Sequence, residues 1–275
     1  MTELADFAAE ALTAVEQRGL FYFKRDDHYV HAGVRGGKVR ACRVLVQRAV
    51  AEGRPGVVTA GSRHSPQVEI VAALAERAGL HFRAHVPAGA RTPQLEFAAA
   101  HGAVLCEHRP GYNSVIVARA RQDALERHWH EIPFGMECHE AVYAAAGQCA
   151  NLPWERLRRL VVPVGSGMTL AGITWGVEFA GRLGVPIVGV VCGADPTRRL
   201  DRWAHPWWRQ WVKLVHSGVP YGQGRPAEFD GVPLDAEYEA KMLPWLEPGD
   251  LAWIVGRRID ATSEEFELAS QPTEA

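Results

Sequence analysis

Short apolar runs alternate with longer amphipathic segments along most of this chain. Runs with the length and valine-rich character of buried strands lie at residues 21–23, 56–60, 80–86, 103–106, 160–164, 185–192 and 251–255. Helical periodicity begins near Val39 and returns at residues 67–78, 93–101, 114–128, 140–150 and 168–181. Because strands that alternate with helices pair in parallel, the pattern predicts an α/β protein whose sheet is covered on both faces.

Two further segments have helical periodicity. Residues 1–19 are amphipathic and contain acidic residues, unlike a signal peptide. If residues 199–214 form one continuous helix, four tryptophans lie on one stripe with arginines between them: Trp203, Trp207, Trp208 and Trp211. The alternative is that Pro206 splits this helix or delays its start. The stripe favours packing against the sheet or at a subunit interface, and a platform for single-stranded nucleic acid is the alternative.

Composition narrows the class of protein. The 275 residues are 47% hydrophobic and carry a formal net charge of −2, which is typical of a globular protein. This net charge gives no overall positive potential that would attract nucleic acid or an anionic membrane. No apolar run approaches the roughly 20 residues that span a bilayer. The five cysteines lack CxxC spacing, so we expect neither disulfides nor a metal site, and the reducing cytoplasm is the predicted location.

A glycine-rich turn places a lysine at a predicted helix start. Lys38 follows Gly36 and Gly37 and precedes the helical pattern. There the positive end of the helix dipole disfavours the ammonium form, and a neutral amine is what covalent attachment to an aldehyde requires. From the residues alone, a solvated lysine at a turn is the other interpretation.

A second glycine-rich turn joins the apolar run at 160–164 to a helix through the residues Gly165, Ser166, Gly167, Met168 and Thr169. Backbone N–H groups at such a turn, together with the hydroxyls, form a site for a phosphate. The spacing matches neither the dinucleotide motif GxGxxG nor the P-loop. A simple helix-capping turn is the alternative.

Six segments occur in an order that resembles a known family: KRDD, GGKVR, GSRHSPQ, IPFG, GSGMT and VPLDAEYEAKM. The chain resembles the fold-type II, tryptophan-synthase-beta-like pyridoxal phosphate enzymes, most of all the 1-aminocyclopropane-1-carboxylate deaminase and D-cysteine desulfhydrase branch. The resemblance implies a three-layer parallel-sheet fold with the cofactor in a cleft between two domains. We expect a large cofactor-binding domain of residues 1–38 and 132–275, and a small inserted α/β domain of residues 39–131.

The resemblance also implies the site residues. Lys38 corresponds to the Schiff-base lysine, and the five residues from Gly165 to Thr169 correspond to the phosphate loop. Ser62 and Tyr221 match groups that contact the substrate and transfer protons. Arg63 stands where the family has an asparagine beside the cofactor's phenolic oxygen, His64 lies in the same substrate-facing loop, and Asp230 would face the pyridine nitrogen.

The activity implied is that of a lyase or deaminase that acts on an amino acid through carbanion chemistry. Decarboxylation or replacement on the same scaffold is an alternative, since fold does not fix the reaction. Another alternative is an enzyme that acts on an aminoacyl group attached to a macromolecule such as modified nucleic acid. Arg257 and Arg258 suggest this alternative. A non-catalytic pyridoxal phosphate binder is the last alternative. The expected partners are a small amino acid and a second copy of the chain in a homodimer.

Overall fold

The computed structural model describes residues 12–258 and divides them into two compact units. Residues 12–29 and 137–257 form the first unit, and residues 30–136 with Arg258 form the second. These boundaries differ from the predicted ones, because Lys38 falls in the second unit. There a small hairpin leads directly into the helix that contains Lys38. We number strands and helices in chain order through both units.

The first unit is built on a six-stranded sheet in the order β1-β2-β14-β9-β10-β11. Only the β1–β2 pair is antiparallel. The strands are β1 (Val15–Arg18), β2 (Phe21–Arg25), β9 (Arg159–Val164), β10 (Ile187–Val191), β11 (Val212–His216) and β14 (Asp250–Ile254), with a separate hairpin of β12 (Ala227–Phe229) and β13 (Val232–Leu234). The helices are α5 (His139–Gly147), α6 (Met168–Phe179) and α7 (Thr197–Trp203).

Both faces of this sheet are covered, which explains why its central strands are apolar throughout. On β9, Leu160 and Val162 pack with Leu170 and other side chains of α6 on one face. Val161 points to the opposite face, where it packs with the 3-10 segment Glu239–Trp245 and the β12–β13 hairpin. A fully buried Val or Leu contributes about 1.5–3 kcal/mol, so these two cores fix the positions of the loops at the strand ends.

The second unit has a parallel sheet in the order β7-β6-β5-β8. Its strands are β5 (Gly56–Ala60), β6 (His81–Pro87), β7 (Val104–His108) and β8 (His130–Ile132), and a separate hairpin joins β3 (Val30–His31) to β4 (Val34–Arg35). Its helices are α1 (Gly37–Ala51), α2 (Pro66–Arg77), α3 (Pro93–Ala100) and α4 (Asn113–Arg127). On β5, Val58 packs on α4, whereas Thr59 receives a hydrogen bond from Gln67 of α2, so helices cover both faces.

The tryptophan-rich segment is not the continuous helix that its periodicity predicts. Helix α7 ends at Trp203, a 3-10 turn spans Trp208–Gln210, and Val212–His216 form the edge strand β11. Pro206 lies between the two helical pieces, and proline lacks the N–H that a helix interior needs. The segment is therefore split at Pro206, which was the alternative to one continuous helix, and the tryptophans do not share one face: Trp208 is buried and Trp207 is exposed.

Arginines beside these tryptophans are paired with carboxylates. Arg209 forms an ion pair with Asp201, and Glu137 accepts from Arg199 and lies close to Arg202. A basic platform for nucleic acid needs cations that are available to phosphates. The ion pairs therefore weigh against that interpretation of the segment.

The interpretation of the N-terminal segment also changed. Residues 15–18 of the predicted N-terminal helical pattern form strand β1, because they pair with residues 21–24 of β2, while residues 1–11 lie outside the described part. Within residues 12–258, no helix combines the length and the apolar character needed to cross a membrane.

A polar cluster lies between α4 and the second unit's sheet. Asp123 accepts hydrogen bonds from Arg83 and Arg127 and contacts His85 Nε2 at 2.8 Å. Burial alone would raise the pKa of Asp123, but the bonds from His85, Arg83 and Arg127 outweigh it and lower the pKa to about 2. Ligand atoms of His85, Cys106 and Asp123 lie within 4.8 Å of one another, yet the two arginines already compensate the carboxylate charge.

Asp123→Asn should reduce the free energy of unfolding by about 1–2 kcal/mol at pH 7, after allowance for solvent screening. Because the pKa is lowered in the folded state, this stabilisation is present above pH 3.8 and is lost as the pH falls from 3.8 towards about 2. Urea unfolding at several pH values measures it. Glu126→Gln, on the exposed side of the same helix, is the control, and an equal loss in both variants would contradict the assignment.

Candidate active site

The phosphate loop of the first unit follows the carboxyl end of β9. Gly167 has φ +92° and immediately precedes α6, where no side chain caps the first turn. The N–H groups of that turn therefore remain as donors, and the helix dipole favours an anion there. A Cβ at Gly165 would lie 2.8 Å from Cε1 of Tyr238, so the loop backbone is in close contact with this ring. Ser166 and Thr169 are partly exposed at the same turn.

Two tyrosines lie beside this loop. The hydroxyls of Tyr221 and Tyr238 are 3.2 Å apart, and their rings meet edge to face. Tyr221 comes from the segment after β11, and Tyr238 precedes the 3-10 segment Glu239–Trp245. The structure thus brings the predicted Tyr221 together with the predicted loop through Tyr238, a residue that was not predicted as part of the site.

A fully buried carboxylate lies next to Tyr238 in the chain. Glu239 Oε1 accepts from the backbone N–H of Val255 at 2.8 Å and of Gly256 at 3.3 Å, just after β14. Its Oε2 is buried and has no hydrogen-bond partner among the described residues. Burial, and then the nearby charge of Asp235, raise the pKa of Glu239 well above 4.5. Such a group needs a partner that shares a proton with it.

Asp230 has a different environment. It is exposed in the turn of the β12–β13 hairpin with φ +50°, and its backbone carbonyl accepts from Arg18. This position does not favour the predicted contact with a pyridine nitrogen. The motif resemblance points to Asp230, just before the VPLDAEYEAKM segment. Glu239, which follows Tyr238 within that segment, is the acidic residue whose burial suits a contact with the pyridine nitrogen better.

Lys38 lies in the first turn of α1 in the second unit. Gly36 precedes the helix with φ +109°, a conformation that glycine tolerates, and its carbonyl accepts from the N–H of Val39. The Lys38 side chain is partly buried. The structure therefore places this lysine at the helix N-terminus that the sequence predicted.

The chain has four lysines, and the other three have different settings. Lys24 is fully buried, with Nζ bonded to the Thr13 carbonyl and to Asn151 Oδ1. Lys241 forms a buried ion pair with Glu237, and Lys213 is exposed on β11. Lys38 alone begins a helix after a glycine turn, so it is the residue that fits covalent attachment of an aldehyde.

The Ser62 loop connects β5 to α2 in the same unit as Lys38. Ser65 caps α2 by accepting from the N–H of Gln67, and its own N–H donates to the carbonyl of Ser62. Ser62 and His64 are partly exposed, and the His64 carbonyl accepts from Arg258. These bonds hold the backbone of the loop in one conformation.

Arg63 uses its side chain locally. Its guanidinium donates to the carbonyl of Ala90 at 2.8 Å and lies against Gly89, while its own carbonyl accepts from Thr92. The contact with the cofactor's phenolic oxygen stays a prediction. The bond to Ala90 shows a different use for the guanidinium.

Two features of the described residues fit pyridoxal phosphate. The loop 165–169 offers backbone donors for a phosphate at a helix start, and Glu239 offers a buried carboxylate oxygen without a partner. The class these features define is an α/β enzyme that uses this cofactor. A family model described as pyridoxal-phosphate dependent enzyme matches residues 4–218, and the chain belongs to that family.

Solved structures share the fold. An ACC deaminase homologue aligns with a TM-score of 0.75 and 19% identity over 93% of this chain and 95% of its own. The processed form of threonine deaminase isoform 2 from Solanum lycopersicum aligns with a TM-score of 0.63 and 15% identity, over 98% of this chain and 92% of its own. Maize serine racemase aligns with a TM-score of 0.62 and 11% identity, over 94% of each chain. No curated protein sequence matched. The predicted fold-type II α/β class and its cofactor are confirmed.

Proposed function

We propose that this chain is a pyridoxal phosphate-dependent lyase that releases ammonia or sulfide from a small amino acid. The observation that carries the proposal is the buried Glu239 carboxylate, whose unpartnered oxygen lies in the same unit as the phosphate loop. When bound, pyridoxal phosphate supplies an electron sink that stabilises negative charge on the substrate's α carbon. A carboxylate that keeps the pyridine nitrogen protonated strengthens this sink.

The residues have the following proposed roles. Gly165, Ser166, Gly167, Met168 and Thr169 bind the phosphate through backbone N–H groups and hydroxyls. Glu239, rather than Asp230, holds the proton shared with the pyridine nitrogen at Oε2. Lys38 Nζ binds the cofactor covalently and then carries a proton to or from the substrate carbon. Ser62 Oγ and Tyr221 Oη hold and transfer protons near the substrate, and the 62–67 loop binds its carboxylate.

The proposed setting is the cytoplasm, because the five cysteines form no disulfide within the described residues and four of them are buried. The proposed partner is a small amino acid, and a homodimer is the proposed assembly.

An assay panel tests the reaction class. The purified protein with added pyridoxal phosphate is incubated with 1-aminocyclopropane-1-carboxylate, D-cysteine, L-threonine and L-serine. We expect ammonia and a 2-oxo acid in equal amounts from at least one of them, with sulfide as well if it is D-cysteine. Chiral chromatography of the remaining amino acid is the control, since inversion without ammonia would show a racemase and contradict the lyase proposal.

A further inference from the structure

The segment after β11 carries Tyr221 on a short loop, here called the Tyr221 loop (residues 220–224). A single carboxylate receives two of its backbone N–H groups. Glu237 Oε2 accepts from Gly222 at 2.8 Å, and Oε1 accepts from Gly224 at 2.9 Å. Glu237 is buried, so these charge-assisted bonds are not exchanged for bonds to water.

Lys241 completes this arrangement from one helical turn further along. Its Nζ lies 2.9 Å from Glu237 Oε2 and donates to the carbonyl of Pro220 at 3.1 Å. The same Nζ lies 5.6 Å from the centre of the Tyr221 ring, within the range of a cation–π contact. Lys241 therefore contacts both the start of the loop and the side chain that the loop carries.

Backbone packing adds a third constraint on the loop. A Cβ at Gly224 would lie 1.8 Å from the carbonyl oxygen of Ala236, so the loop lies directly against the segment that carries Glu237. Asp235 in turn accepts from the N–H of Glu237 at 2.8 Å. Hydrogen bonds and packing consequently hold the loop against this segment, and the Tyr221 and Tyr238 hydroxyls lie 3.2 Å apart.

The charges are costly to bury, which indicates a purpose beyond stability. Burial alone would raise the pKa of Glu237, but the bonds from Lys241, Gly222 and Gly224 outweigh it and lower the pKa. An apolar pair of similar size is often as stable as a buried ion pair, but it cannot accept two N–H groups at fixed positions. Geometry is what this pair provides.

We propose that Glu237 and Lys241 are positioning residues that hold the Tyr221 hydroxyl beside Tyr238 for proton transfer. The inference rests on the proposed function, since Tyr221 transfers protons only if the chain is the proposed lyase. Glu237 acts through the backbone of the Tyr221 loop, and Lys241 acts through the Pro220 carbonyl and the tyrosine ring. Neither residue needs to touch the substrate.

Hydrogen exchange in the cofactor-free protein tests the positioning without any activity. Glu237→Gln loses one acceptor, so the amides of residues 221–224 should exchange about tenfold faster, while peptides from β9 and β10 keep the wild-type rate. Glu228→Gln, on the exposed face of β12, is the matched control. Unchanged exchange in residues 220–224 of Glu237→Gln would overturn the proposal.

Kinetics with the substrate that the assay panel identifies test the link to Tyr221. Glu237→Gln should lower kcat about tenfold with little change in KM, and Glu237→Asp should recover part of it because it keeps the charge. In a Tyr221→Phe background, Glu237→Gln should have no further effect on kcat, since both changes remove the same positioned hydroxyl. Additive effects would overturn the positioning role.

The two failures are distinguishable. If residues 220–224 exchange faster in Glu237→Gln while Tyr221→Phe alone keeps full kcat, the loop is held as described and the proposed role of Tyr221 is what fails. If Tyr221→Phe lowers kcat and Glu237→Gln alters neither exchange nor kcat, the proposed function stands and the positioning proposal is overturned.

Discussion

Lys38→Ala should no longer retain pyridoxal phosphate through exhaustive dialysis and should lose about 10²–10⁴-fold in turnover. The loss has two causes. In the proposed mechanism, the variant lacks the amine that binds the cofactor covalently, and it lacks the proton carrier at the substrate carbon. Absorbance of the dialysed protein measures retention. Borohydride reduction followed by peptide mass mapping should show the pyridoxyl group on Lys38 of the wild type.

Lys213→Ala is the matched control for Lys38, because Lys213 is exposed on the edge strand β11. It should keep both the cofactor and the activity. Since the chain has only three other lysines, peptide mapping also has few alternatives to distinguish. A pyridoxyl group on Lys24, Lys213 or Lys241 in the wild type would refute the assignment.

Glu239→Gln should lower turnover about 10²-fold and leave the phosphate loop able to bind the cofactor. The amide keeps the size of the side chain and can still accept from Val255 and Gly256, but it cannot give a proton to the pyridine nitrogen. The substitution therefore removes the acidic group of Glu239 and keeps the packing of its side chain. Turnover and the cofactor absorption spectrum of the same sample measure the two effects.

Asp230→Asn is the comparison that decides between the two carboxylates. Because Asp230 lies in an exposed hairpin turn, its amide variant should differ from the wild type by less than about twofold in turnover. A large loss in Asp230→Asn together with a normal Glu239→Gln would return the pyridine contact to Asp230.

Without cofactor, Glu239 should also make stability depend on pH. Because burial raises its pKa, the folded protein holds a proton that the unfolded chain releases above pH 4.5. This group's contribution therefore falls as the pH rises above 4.5 towards the raised pKa. Glu239→Gln has no proton to lose, so its stability relative to the wild type should increase from pH 5 to pH 8. Urea unfolding measures the difference, and a constant difference would contradict the buried neutral acid.

Much of the fold was predictable because its cause is local. Strands such as Gly56–Ala60 and Arg159–Val164 are buried on both faces, so they appear as short apolar runs between turns. The Lys38 turn was predictable for a similar reason, since two glycines before a helical pattern determine the backbone there. Periodicity failed in residues 199–214, where a proline divides a short helix from an edge strand whose pairing with β10 is non-local.

The sequence by itself determined the α/β alternation, the glycine turns at Lys38 and Gly165, and through its ordered motifs the cofactor. Only the tertiary structure distinguished Glu239 from Asp230, because burial and the amides after β14 give one carboxylate its raised pKa while the other is exposed at a hairpin turn. It also brought Glu237 and Lys241 onto the Tyr221 loop. Those contacts join segments that follow different strands, and no local pattern in the chain encodes which strand ends meet.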